Sequence, residues 1–475
     1  MVFSSTLFLL FFLPIFLIGY HLLPHKHRNW WVLLASVLFY SWSAPVFIFV
    51  IIGSVVVDYY LIEWLHNSND ANRRKVLLFL SIFINLGLLL YFKYANFFVE
   101  NVNMALTSFG FNHLEWVKIG LPVGISFYTF QTLTYSIDVY RGVHKPFKNP
   151  VQYLVYILLF PQMIAGPIVR FNLIADQIVD RKHLETIDNK LLGFFRFVIG
   201  LSKKMLIANV LGAQADAVFD LSLTELGTQT AWIGIIAYSF QIYFDFSGYS
   251  DMAIGIGRMI GFTFPENFNN PYTSRSITEF WRRWHMTLGT WMRDYLYIPL
   301  GGNQLSVKRM YFNLWFVFIL SGLWHGAAWN FIVWGMFHGL FLVLDKLFLL
   351  KFLNKIGKYP SVVLTFLITL IGWVFFRCDS IEQAVDFISV LFSFNDLSTN
   401  FYFDSEFTIT LALAFVFSFF TLNKYGLQIE QKFFFGTTHS NRTALVLFVV
   451  CLLILVLCVG AVLSSGFNPF IYFRF

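Results

Sequence analysis

Three histidines sit where an ionisable side chain is expensive to keep. His325 falls in Ser321-Gly322-Leu323-Trp324-His325-Gly326, His338 in Phe337-His338-Gly339, and His285 in Trp281-Arg282-Arg283-Trp284-His285. Inside a bilayer each ionisable group costs about 2.5–3.5 kcal/mol even on the lenient insertion scale, so each needs a reason. A neutral imidazole can take a proton from a hydroxyl near pH 7 and return it to a leaving group. His325 suits that work best. It lies well inside an apolar stretch, between Gly322 and Gly326, which let backbone or substrate come close. A structural histidine bonded to a neighbouring helix is the competing reading, and residue types alone leave both open. His338 is thirteen residues on. On a continuous helix it points away from His325 and reads as structural. The three histidines have neither an H-x-x-x-H spacing nor a nearby acid pair, so no metal site is expected.

A second constellation runs from Tyr238 to Asp251 and includes Gln241, Asp245, Ser247, Tyr249 and Asp251. Two acids, an amide and several hydroxyls in an apolar segment must face a partner or a wet cavity. Either they line a polar tunnel, or Asp245 and Asp251 pair with cations such as Lys203 and Lys204.

The elements that must hold these groups follow from composition. Of the 475 residues, 57% are hydrophobic, 20% aromatic and only 12% charged, with mean hydropathy +0.66. A soluble protein carries roughly 25% charged residues, so a water-soluble enzyme, a secreted disulfide scaffold and a disordered chain are all excluded. Apolar runs of spanning length recur, without the ten-residue alternation of a barrel, which points to an all-α polytopic bundle. Cys378, Cys451 and Cys458 form no C-x-x-C pair, so neither a disulfide nor a thiolate metal site is expected. The net charge of +7 reports cytoplasmic loops rather than nucleic-acid binding.

The spans expected are 3–23, 30–40, 45–65, 76–98, 119–140, 191–211, 229–259, 311–350, 362–376, 407–422 and 444–462, about ten or eleven crossings in one domain over 1–475. The basic clusters His25 to Arg28, Arg73 to Lys75 and Arg141 to Lys148 place their loops inside. The stretch 151–168 ends in Gly166-Pro167 and reads as re-entrant or broken. Residues 265–310 read as a cytoplasmic insert with short interfacial helices, and 311–350 as the catalytic-histidine segment. Ile381 to Phe392 reads as an interfacial amphipathic helix capped by Ser380, with Ile381, Ala384, Val385, Ile388, Leu391 and Phe392 on one face. Asp138 and Arg141 are spaced to pair on one helix.

These residues resemble a known signature. Trp324-His325-Gly326-Ala327, with Trp334-Gly335 and His338-Gly339, is similar to that of the membrane-bound O-acyltransferases. Further motifs resemble the bacterial branch that contains the alginate O-acetylation membrane subunit. They are Leu121-Pro122-Val123-Gly124-Ile125-Ser126-Phe127, Ile137-Asp138-Val139-Tyr140-Arg141-Gly142, the stretch Phe160 to Arg170, and the Asp245–Asp251 run. Phe280-Trp281-Arg282-Arg283-Trp284-His285, continuing through Trp291, Arg293-Asp294-Tyr295 and Gly301-Gly302, and the tail Ile471 to Phe475 complete the set. The matches extend from near the first residue to the last.

The resemblance implies transfer of an acyl group from a cytosolic thioester to a hydroxyl, through a central tunnel. It implies that His325 is catalytic and that His285 is a second functional histidine beside the same tunnel. Acetyl-CoA is the implied donor, a substrate rather than a bound cofactor. Its nucleotide head is expected near the basic stretch Arg275 to Arg309, with Arg282, Arg283, Trp284, Arg293, Asp245, Ser247, Tyr249 and Asp251 as binding residues. A hydrogen bond donated by His285 is expected to stabilise the oxyanion. The chain has no G-D-S serine-hydrolase block, so a periplasmic SGNH-type acetyltransferase partner is expected to hand the acetyl group to the polymer. The expected location is the bacterial inner membrane. Peptidoglycan acetylation and teichoic-acid D-alanylation are alternatives within the same architecture. A transporter without chemistry, using Asp245, Asp251 and the lysines at 203–204 as ion sites, is the alternative outside it.

Overall fold

Asp70 starts a helix three residues after the previous one ends at Asn67. Its carboxylate accepts the Asn72 backbone N–H at 2.9 Å, the N-cap bond that launches a helix. In the computed structural model this helix runs from Ala71 to Ser108, 38 residues. The basic cluster Arg73 to Lys75, expected in a loop, therefore lies in its first turns. The structure describes residues 1–394, 402–436 and 439–464, and the tail motif Ile471 to Phe475 lies outside them. Among the described residues all regular structure is helical.

Among the described residues, six helices are long and apolar enough to cross a membrane: Phe47–Asn67, Ala71–Ser108, Trp329–Ile356, Lys358–Arg377, Ser405–Leu422 and Asn441–Ser464. Other expected crossings form helices that are shorter or less apolar. Phe8–Leu22 is short, whereas Thr228–Met259 and Val307–His325 are long but carry polar side chains.

The chain divides into two compact units. The first comprises Met1–Lys190 with Ile256–Phe264. Its centre is Asp58, fully buried, whose carboxylate accepts from Ser81 Oγ at 2.5 Å, Tyr153 OH at 2.6 Å and Asn85 Nδ2 at 3.0 Å. The donors come from two helices and the acid from a third, so the acid ties three helices together. The stretch expected to be broken is so: Pro150–Leu158 ends at Leu159, and a short helix Phe160–Met163 follows. It is buried in protein, where interrupted backbone is tolerated.

The second unit comprises Leu191–Gly255 and Pro265–Phe475. Here Ile187–Ser202, continuing through Lys203–Ala208, packs against Thr228–Met259 along a glycine seam. A Cβ on Gly200 would lie 2.5 Å from the Gly248 carbonyl oxygen, and one on Gly255 2.6 Å from that of Gly193. Backbones this close bring three cations against the two acids of the polar run. Lys204 meets Asp245 at 2.6 Å, Lys203 meets Asp251 at 2.6 Å, and Arg196 meets Asp251 at 2.8 Å. Of the two sequence readings of Asp245 and Asp251, the structure shows the paired one.

Residues 265–310 carry the short helices Ile277–Arg283 and Met286–Met292, yet much of the stretch is buried rather than laid along a surface. Tyr272, Phe280 and Trp284 pack with Trp373 and Tyr243 in one aromatic core. Aromatic rings bury far more area than a peripheral insert needs. Helix Ile381–Leu391 is capped as expected, with Ser380 Oγ accepting the Gln383 N–H at 3.1 Å. Its buried face is Ala384, Phe387 and Leu391, and Val385 and Phe392 are exposed.

Candidate active site

His325 is the last residue of helix Val307–His325. Gly326 leaves the helix in extended backbone, and helix Trp329–Leu344 returns antiparallel. The turn is held by Asn330, whose Nδ2 donates to the Cys378 carbonyl at 2.7 Å. This hairpin replaces the single continuous helix on which His338 was expected to point away. Both imidazoles instead meet the indole of Trp334, His325 at 5.2 Å and His338 at 5.1 Å between ring centroids.

The hairpin closes because both strands of it lack side chains at the contact. A Cβ on Gly322 would sit 2.2 Å from the Phe331 carbonyl oxygen, and one on Gly335 2.4 Å from that of Phe318. Those obstacles are backbone and cannot swing aside. Gly322→Ala is therefore expected to force the hairpin open, lowering both folded yield and activity. Gly460→Ala, where a Cβ meets nothing within 4 Å, is expected to change neither. Fluorescence-detected size exclusion of the two variants checks this.

The His325 ring is bounded edge-to-face by Trp324 at 4.8 Å, Trp334 at 5.2 Å and Phe376 at 5.3 Å, and the residue is 6% exposed. The last carbonyls of its helix lie beside it. Their partial negative charge suits a residue that must carry a positive charge in transit.

His285 reaches the same place from the 265–310 stretch. Its ring lies 6.1 Å from Trp324 and 4.7 Å from Phe246, so it shares the Trp324 indole with His325. It caps helix Met286–Met292 with φ 45° and ψ 51°, a left-handed conformation that costs a residue with a Cβ about 1–2 kcal/mol. Strain of this kind is kept where the surroundings fix it. Here the fixing residue is Asn267, whose carbonyl accepts the Met286 N–H at 2.9 Å. Its side-chain Oδ1 lies 3.2 Å from His285 Nδ1 and 2.8 Å from Thr287 Oγ1. Its Nδ2 donates to Ser250 Oγ at 3.0 Å. Burial pushes the His285 imidazole down to about 3, so the ring is neutral.

The remaining expected site residues separate. Arg282 and Arg293 are exposed, Arg293 beside Asp294 at 2.7 Å. Arg283 pairs with Glu279 at 2.8 Å. Trp284 lies in the aromatic core against Phe280 and Trp373, not at a docking surface. Ser247 and Tyr249 are buried on the helix that carries Asp245 and Asp251. His338 is fully buried, with Trp281 at 5.0 Å. Sequence reading did not single out Asn267 or Phe376, whereas Ser250 falls within the Tyr238–Asp251 run. Asn267 stands in Glu266-Asn267-Phe268-Asn269-Asn270-Pro271, a composition that signals only a turn.

Comparisons with known proteins give the family. The profile of MBOAT, the membrane-bound O-acyltransferase family, matches residues 148–376, a range that contains His285 and His325. A probable alginate O-acetylase AlgI of Pseudomonas aeruginosa is 45% identical over 395 residues, 83% of this chain and 75% of that protein. Another of that name, from Pseudomonas putida, is 39% identical over 494 residues, covering 100% of both chains. A peptidoglycan O-acetyltransferase of Helicobacter pylori is 36% identical over 431 residues, 84% of this chain and 81% of that protein. Identity of 39% over the full length of the Pseudomonas putida protein, together with the family profile, makes the chain a member of the membrane-bound O-acyltransferase family, a multi-pass bacterial membrane enzyme that transfers acyl groups to oxygen.

Proposed function

We propose that this protein takes an acetyl group from cytosolic acetyl-CoA and passes it across the inner membrane for O-acetylation of an alginate-like polysaccharide. The observation that carries the reading is His325 at a helix end, its ring bounded by three aromatic side chains, one of them the Trp324 indole it shares with His285. His325 takes the proton of an acceptor hydroxyl as that oxygen attacks the thioester carbonyl. The C–S bond breaks, and the imidazolium returns the proton to the departing thiolate. The exposed guanidinium groups of Arg282 and Arg293 suit the phosphates of the nucleotide head at the membrane surface. A periplasmic SGNH-type transferase then carries the acetyl group to the polymer.

The names of the two Pseudomonas relatives support alginate as the polymer class. The Helicobacter relative supports peptidoglycan as the second reading. Proteoliposomes given labelled acetyl-CoA on one side and polymer with a periplasmic transferase on the other decide between them. Label on alginate, dependent on both proteins, is expected. Label on peptidoglycan instead favours the second reading. Transfer of D-alanine from a carrier-protein thioester, with none from acetyl-CoA, overturns the donor. Proton-coupled flux that persists without His325 overturns the chemistry altogether.

A further inference from the structure

We propose that His285 works through Nε2 as a hydrogen-bond acceptor, and that Asn267 is the positioning residue that holds the ring in that state. The Asn267 side-chain orientation is fixed by its neighbours. Its Oδ1 receives the Thr287 hydroxyl at 2.8 Å and the Thr287 backbone N–H at 3.4 Å. A flipped amide would set its NH2 against that backbone N–H, donor against donor. The atom facing His285 Nδ1 at 3.2 Å is therefore an acceptor, and Nδ1 must carry the ring's hydrogen. In a neutral imidazole the other nitrogen then holds a lone pair.

That nitrogen, Nε2, is buried and has no partner among the described residues. It has an acceptor to offer and no proton to give. The oxyanion bond expected of His285 from sequence needs the opposite tautomer. What Nε2 can hold is an N–H or O–H of a substrate: a pantetheine amide of the donor or the hydroxyl of the acceptor. The chain of support runs further back. Ser250, on the polar helix, receives the Asn267 NH2 at 3.0 Å. Asn267 in turn holds both the backbone after His285 and the ring. One residue thus fixes the left-handed backbone and the tautomer together.

The catalytic consequence rests on the acetyl-transfer reading, whereas the tautomer does not, and the test separates them. Full-length protein with 15N-labelled histidine is compared with His285→Gln to assign the His285 signals. An imine-type Nε2 and an amine-type Nδ1 are expected. An amine-type Nε2 overturns the proposal. Asn267→Ala is expected to mix the tautomers and lower acetyl transfer by ~10- to 100-fold, the usual loss for an outer partner that orients an imidazole. Asn267→Asp keeps an acceptor at the same place and is expected to retain the tautomer and most of the activity. An unchanged spectrum in Asn267→Ala removes the positioning role, and if that variant does not fold, loss of the tautomer in Asn267→Asp does so. A KM rise confined to acetyl-CoA in Asn267→Ala identifies the pantetheine amide as the bound group, and a rise confined to the acceptor identifies its hydroxyl. The expected tautomer in a protein that moves no acetyl group from acetyl-CoA would leave the proposal's tautomer standing and end the acetyl-transfer reading.

Discussion

His325→Gln is expected to lose about 10²–10⁴-fold in acetyl transfer, the range a positioned general base contributes, while folding as the wild type does. Glutamine keeps a planar polar group at the helix end but cannot take up and release a proton near pH 7. The helix closes through the backbone bond from Gly326 N–H to the Gly322 carbonyl at 3.2 Å, and the hairpin through glycine contacts and Asn330. His325→Ala should lose as much activity and somewhat more stability, because it removes the ring's contacts with Trp324, Trp334 and Phe376. Turnover of labelled acetyl-CoA in proteoliposomes, set beside the unfolding midpoint of each variant, is the measurement. A folded glutamine variant that works at the wild-type rate rules His325 out as the base.

What sequence could and could not reveal follows the range of the forces involved. The bundle was legible because hydrophobic runs are a local signal and each apolar segment carries its own instruction to be helical. His325 stood out because a histidine between glycines in an apolar run is costly without a use. The hairpin was not. Gly326-Ala327-Ala328 offers one glycine, which a helix interior tolerates at a cost of about 1 kcal/mol, and what turns the chain there is tertiary: the bond from Asn330 to Cys378 and the interlock of Gly322 with Phe331. With the turn hidden, the shared contact of His325 and His338 with Trp334 was hidden too. Residues 265–310 misled for a related reason. Their charge suggested a surface, yet Arg275 and Arg283 lie near Glu279 and Arg293 near Asp294, which leaves the aromatic residues between them to enter the core. Asn267 left no local mark, because its importance lies in what stands 18 residues away.

The polar run on Thr228–Met259 supports the other large prediction. Lys204 and Asp245 meet at 2.6 Å with both side chains only 3% exposed. Bringing two charges out of water is repaid only while both are present, and removing one leaves the other buried and uncompensated. Lys204→Met is therefore expected to destabilise the protein by about 3–5 kcal/mol. Adding Asp245→Leu removes the stranded charge and should restore most of the loss. Lys203→Met is expected to cost far less. Lys203 is 20% exposed, and its partner Asp251 keeps Arg196 at 2.8 Å. Unfolding of the three variants in graded SDS provides the energies, and their acetyl-transfer rates decide the meaning of the pair. If Lys204 and Asp245 were an ion site of a transporter, the double variant would be stable and inactive. If they clamp the glycine seam between the two helices, activity should track stability and return with it. An unchanged unfolding curve for Lys204→Met would show that the pair clamps nothing.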